Sequence, residues 1–378
     1  MLIQLALTGL MAALLPLTMV WVSAEADKYR KLIWVVLFLT FDLIVFGAFT
    51  RLTDSGLGCP DWPGCYGHAN PLQADAFISA AASAMPTGPV TVIKAWIEMI
   101  HRYLAMMIGV LLLSIAFIAW RRWLKSARLD SRFAPGLPTI LVAFVCLQGA
   151  FGAWTVTLKL QPVIVTIHLL LGLGLLALLA WLAARQSEAV PVDAIASALR
   201  MPAVLVSLLL FIQLALGGWV STNYAALACS EFPLCQGAML PPMDFAHGFT
   251  IWRKLGMTAD GSYLPFAALT AIHWVHRMFA WIVAAALVWL AFKALKITGL
   301  KNIARGILAV TVLQILTGLL TVVFQWPLAL AVIHNAGAAL MVLLLSMLNY
   351  RVHSAASLHK GADDQSQRGS NSSSKSLA

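Results

Sequence analysis

The chain has 378 residues, 61% of them hydrophobic and only 11% charged, with a mean hydropathy of +0.86, far outside the mix of an ordinary soluble domain. These values exclude a soluble fold and define an all-α polytopic membrane protein. The formal charge of +10 is then topology information rather than a nucleic-acid surface, because Lys and Arg collect in the loops that stay cytoplasmic.

Apolar runs long enough to cross a hydrocarbon core of about 30 Å fall at 2–23, 31–52, 95–120, 138–158, 163–184, 201–223, 269–293, 304–325 and 327–350. Three connections are basic: Lys28 to Lys31, Arg121 to Arg132, and Lys293 to Arg305. Placing them inside leaves two cysteine pairs outside, Cys59 with Cys65 and Cys229 with Cys235. By themselves the pairs read as a metal site, a redox couple or a staple. The first run has no Lys or Arg before it, and cleavage after it would strand a basic segment outside, so a retained helix is expected rather than a signal peptide. The polar, serine-rich stretch after Tyr350 reads as disordered cytoplasmic tail.

The chain repeats itself. "FDLIVFGAFTRLTDSGLGCPDWPGCYG" aligns without gaps on "FIQLALGGWVSTNYAALACSEFPLCQG", "EMIHRYLA" on "HWVHRMFA", and "LQGAFGAWTV" on "LQILTGLLTV". The expected domains are 1–30, an extra helix with its basic turn; 31–185, a first four-helix repeat; 186–200, a cytoplasmic linker; 201–350, a second four-helix repeat; and 351–378, the tail. Four helices per repeat give both halves the same orientation, hence a pseudo-twofold along the membrane normal.

Of nine histidines, four occupy matched places: His101 and His168 in the first half, His276 and His334 in the second. Each falls in the first turns of a helix that starts outside, roughly 6–12 Å in at about 1.5 Å per residue. One such histidine is more often a satisfied helix-end residue than a ligand; a pair repeated in both halves is not. Ionisable groups at membrane depth mark function, and two imidazoles on facing helices suit one large planar cofactor. Haem iron fits. Zinc wants three or four protein ligands, and E-x-x-H-R lacks the H-E-x-x-H spacing. Arg102 and Arg277, next to the histidines, either pair with acidic groups such as propionates or snorkel at a helix end. A cluster of glycines, among them Gly152, Gly217 and Gly318, leaves room for a flat ring or serves plain helix packing.

The halves differ three residues before the motif histidine. Glu98 lies one turn from His101 on the same face, where the second half has His273. A carboxylate there suits a base or an exposed helix-entry acid. Arg51 falls on Ser221, and Asp42 stands mid-helix without an acidic counterpart. Trp62, Trp154, Trp219 and Phe232 are expected in the interfacial aromatic belt.

Taken together, "TRLTDSGLGCPDWPGCYG", "EMIHR", "LQGAFGAWTV" and their echoes resemble the heme A synthase family over about 31–350. The resemblance implies a membrane oxidoreductase that converts haem O to haem A for terminal oxidases by oxidising a ring methyl to a formyl group. It places a permanent haem b on His276 and His334 and the haem O substrate on His101 and His168. It gives Glu98 a catalytic part and makes both cysteine pairs extracytoplasmic disulfides, with which the five-residue gap and oxidising side agree. It implies a bacterial cytoplasmic membrane, lipid contact, haem O synthase and oxidase assembly proteins as partners, and no nucleic acid. The extra first helix, the loop 66–94 and His273, a further candidate ligand, depart from the family pattern. Two rivals are a di-haem b-type cytochrome passing electrons to or from quinone, which leaves Glu98 unexplained, and a parallel-repeat transporter, which leaves the histidines unexplained.

Overall fold

A computed structural model describes the backbone of residues 1–188 and 190–375, and side chains through Ala355 apart from residue 189. The helices in chain order are α1 (Leu2–Val22), α2 (Lys28–Leu52), α3 (Asp75–Ala84), α4 (Val92–Lys125), α5 (Gly136–Thr157), α6 (Pro162–Gln186), α7 (Arg200–Thr222), α8 (Phe245–Gly248), α9 (Phe266–Leu295), α10 (Lys301–Val323) and α11 (Leu328–Lys375). Among the described residues nine are long and apolar enough to cross a membrane, all but the short α3 and α8. Such helices satisfy their backbone internally, which is what a bilayer demands. Their ends carry ordinary signals: Asp27 caps α2 by accepting from the Arg30 N–H at 3.1 Å, and α6 opens on Pro162, whose missing N–H is no loss there.

Two large apolar clusters form most of the interior. One joins α2, α4 and α6 through residues such as Ile33, Leu111 and Leu176, with α1 contributing Ala13 and Val20. The other joins α7, α9, α10 and α11 through Val206, Leu290, Ile307 and Leu345. Both occupy the basic ends of the helices. The cysteine ends carry smaller apolar clusters, one with Ile78 and Met99 around Cys59 and Cys65 and one with Trp219 and Ile272, beside loops and polar side chains. α6 and α11 pack on one another, α2 lies against α11, and α7 lies against α6.

α11 runs without interruption past Tyr350 to Lys375, where the sequence reading expects disordered tail; residues 376–378 lie outside the described residues. Trp219 is a correction to the expected aromatic belt. It is 8% exposed, and its indole donates to the Gly248 carbonyl at 2.9 Å, because the 238–265 loop folds back over it. Trp62, Trp154 and Phe232 are exposed.

Candidate haem sites

Each of the four matched histidines rests on a glycine of a neighbouring helix. A Cβ at Gly47 would lie 2.9 Å from His101 Cε1, at Gly217 3.1 Å from His276 Cε1, and at Gly152 and Gly318 3.3 Å from the same atom of His168 and His334. Any side chain there would push the ring aside, so these glycines seat imidazoles. Gly172 touches Gln148 and Gly174 touches Phe144, ordinary helix packing, while a Cβ at Gly109 or Gly149 would meet nothing within 4 Å.

Three glutamines that the sequence reading does not single out complete the seats. Gln148 donates to the His168 carbonyl at 3.0 Å and Gln314 to the His334 carbonyl at 2.9 Å. Gln213 Nε2 lies 3.1 Å from His276 Nδ1 and 3.2 Å from the His276 carbonyl. Their signal was present: Gln148 and Gln314 share one offset in the repeat, and a primary amide at membrane depth is costly unless it is hydrogen-bonded. The Thr317 hydroxyl donates to the Leu313 carbonyl at 2.7 Å and therefore accepts from His334 Nδ1, 2.9 Å away. That leaves His334 Nε2 as the unprotonated nitrogen, the state a metal-ligating histidine needs.

The arginine of each motif is spoken for. Arg102 donates to the carbonyls of Asp61 (2.8 Å) and Gly64 (2.6 Å) and pairs with Glu98. Arg277 donates to the carbonyls of Glu231 (3.0 Å) and Pro233 (3.3 Å) and lies over the Phe232 ring. Both arginines thus hold the cysteine loops. Cys59 is bonded to Cys65 and Cys229 to Cys235; Cys146 is unpaired. Each loop is further closed by an acid that follows the first cysteine: Asp61 accepts from the N–H groups of Tyr66 and Gly67, and Glu231 from that of Gly237.

Glu98 is 4% exposed, not the exposed helix-entry acid that one reading allowed. One carboxylate oxygen accepts the Cys59 N–H at 2.8 Å and the other pairs with Arg102. In the second half the Cys229 N–H donates to His273 Nδ1 at 3.2 Å. Glu98 and His273 therefore do the same mechanical task, with a carboxyl group present in one half only. Asp42 is exposed on the outer face of α2, one and two turns from exposed Phe38 and Trp34.

A cavity of about 280 Å³ lies in the second half. His276, His334, Gln213 and Gln314 line it, while Ile44 of α2 and Leu169 of α6 close it from the first half. The donor set fits haem. His101 and His168 each keep a buried ring nitrogen without a partner, the histidines come in facing pairs, and glycine makes room beside every ring. Among the described residues no group of three or more His, Cys, Asp or Glu stands together, so a metal held by protein ligands alone lacks its donors.

Fold and site define a polytopic helical membrane protein with paired, glycine-seated histidines. The family model of the COX15-CtaA cytochrome oxidase assembly proteins matches residues 30–346. A heme A synthase of Shewanella oneidensis is 40% identical over 322 residues, covering 84% of this chain and 95% of the relative. Heme A synthases of Sphingopyxis alaskensis (31% identical; 88% and 94% covered) and Methylobacterium nodulans (30%; 83% and 89%) are also similar. The chain belongs to this family, that of the heme A synthases.

Proposed function

We propose that the protein is an oxidoreductase that oxidises the ring methyl group of haem O to a formyl group, giving haem A. His101 and His168 would hold the haem O substrate, and His276 and His334 a resident haem b. Haem b, when bound, supplies a one-electron carrier. The observation that carries the assignment of the two halves is Glu98: matched histidine seats occur in both, but only the first has a carboxylate beside its motif histidine.

In this reading the methyl carbon is hydroxylated twice at the expense of an external oxidant that takes four electrons in all, giving a gem-diol that loses water to leave the formyl group. Glu98 takes up protons one helical turn from His101. Its carboxylate is gripped by the Arg102 guanidinium and the Cys59 N–H, so accepting a proton loosens its hold on both. The glycine seats and glutamines fix the imidazoles, which keeps the reacting edge in one place. The protein would lie in a bacterial cytoplasmic membrane with its disulfide loops outside and its C-terminus inside, supplied by a haem O synthase and serving terminal oxidase assembly.

The test is expression beside a haem O source, followed by extraction and identification of haems. New haem A supports the proposal. Haem b alone, at two per chain, would make it an electron-carrying cytochrome. Glu98→Gln keeps an acceptor for the Cys59 N–H but removes the charge. It should abolish haem A while preserving haem content; undiminished haem A would remove Glu98 from the mechanism.

A further inference from the structure

We propose that a groove between α1, α2 and α4, at the basic end of the molecule, seats one anionic phospholipid of the surrounding membrane. Its volume is about 670 Å³, inside the range of roughly 300–1,000 Å³ of small-molecule sites. The wall is apolar, with Leu17 and Trp21 from α1, Leu32 from α2 and Phe117 from α4. The rim is cationic, with Lys28, Arg121, Arg122 and Lys125. An acyl chain matches the wall and a phosphate matches the rim, the arrangement by which basic pockets between membrane helices take acidic lipids.

Among the described residues no carboxylate pairs with this rim. The acids nearest in sequence are engaged elsewhere, Glu25 by Arg30 and Asp27 by Arg132. Among the described residues Arg121 and Lys125 enter no ion pair. Lys28 spends one donor on the Ser23 carbonyl at 2.5 Å and keeps two more. Tyr29, which lines the groove, is 1% exposed, yet its hydroxyl has no partner. A buried orphan hydroxyl in a groove rimmed by cations is a donor waiting for an acceptor. One wall, α1, lies outside the family match at 30–346.

The proposal is tested on the full chain in detergent, by native mass spectrometry and thermal unfolding with added phosphatidylglycerol, phosphatidylcholine or inorganic phosphate. We expect one phosphatidylglycerol retained with about tenfold preference over phosphatidylcholine, a modest demand on the several cations near the headgroup, and no effect of phosphate. Arg121→Gln with Lys125→Gln should erase the preference without changing haem content. Tyr29→Phe should weaken lipid retention while leaving the lipid-free melting temperature in place. Equal retention of the two lipids, full stabilisation by phosphate alone, or an unaltered preference in the double variant would each overturn the proposal.

Discussion

The guanidinium of Arg51 donates to the carbonyl oxygen of Ser221 at 2.7 Å, so a first-half side chain grips the residue that holds its own place in the second half. The same guanidinium lies 4.1 Å over the Tyr224 ring and reaches Asp54 at 3.1 Å, to which the Tyr224 hydroxyl also donates. Asp54 is largely exposed, and an exposed ion pair adds little; the sheltered bond to Ser221 dominates. Arg51→Ala should therefore cost about 1.5–3 kcal/mol, as loss of a charged hydrogen bond does, and Asp54→Asn under about 1 kcal/mol. Chemical unfolding in detergent would compare them, and equal losses would place the strength in the ion pair instead.

The glycine seats can be tested half by half. Gly47→Ala presses a methyl into His101 and Gly217→Ala into His276, overpacking that costs typically about 1–3 kcal/mol. Each variant should lose one haem and keep the other, read as the haem-to-protein ratio. Gly109→Ala, with open space around it, should keep both.

His273 offers a separation of ligand from loop anchor. Its Nδ1 is occupied by the Cys229 N–H, so His273→Ala should retain the second haem spectrum while destabilising the fold by about 1–3 kcal/mol, the penalty of an unsatisfied buried donor. His273→Glu recreates the arrangement of Glu98 and Arg102 beside Arg277 and should recover most of that loss. A missing haem in His273→Ala would make it a ligand.

The Cys59–Cys65 bond closes the loop from which Glu98 takes its backbone donor. Replacing both cysteines by Ser should lower stability by about 2 kcal/mol or more and reduce haem A formation more than haem content, since His101 and His168 are seated by other helices. Comparison of extracted haems with the melting temperature tests this, and normal activity in the variant would confine the bond to stability.

On the loop over Trp219, Asp244 accepts from the His247 backbone N–H at 3.0 Å and the ring Nδ1 at 2.6 Å. These bonds hold its carboxyl below the ordinary value of 3.8. A depressed folded value means the contribution is present above that ordinary value and is lost as pH falls through the folded one. Proteolysis of the 238–265 loop should accelerate only below about pH 4, and Asp244→Asn should remove that acid dependence.

The spans were legible because each is a long uninterrupted apolar run, and a bilayer allows such a run only one structure. The four histidines were legible because duplication set them apart from the other five. The roles of their neighbours were not. Arg102 and Arg277 read equally well as partners for acidic groups or as snorkelling ends, and only the folded loops show them bound to the carbonyls of Asp61, Gly64 and Glu231. Trp219 looked like an interfacial tryptophan until a loop nearly thirty residues on covered it.

Sequence alone determined that this chain lives in a membrane, that its motifs recur at a matched offset, and that Glu98 has no acidic counterpart at His273, because hydropathy, offset and residue identity are properties of the string. Tertiary structure decided what the polar groups do. Whether Glu98 faces water or a Cys59 N–H, and whether Gly47 is a spacer or the seat of His101, depends on segments more than thirty residues apart meeting within a few ångströms. Hydrogen bonds and van der Waals contacts act only at that range, and a linear pattern carries no distance.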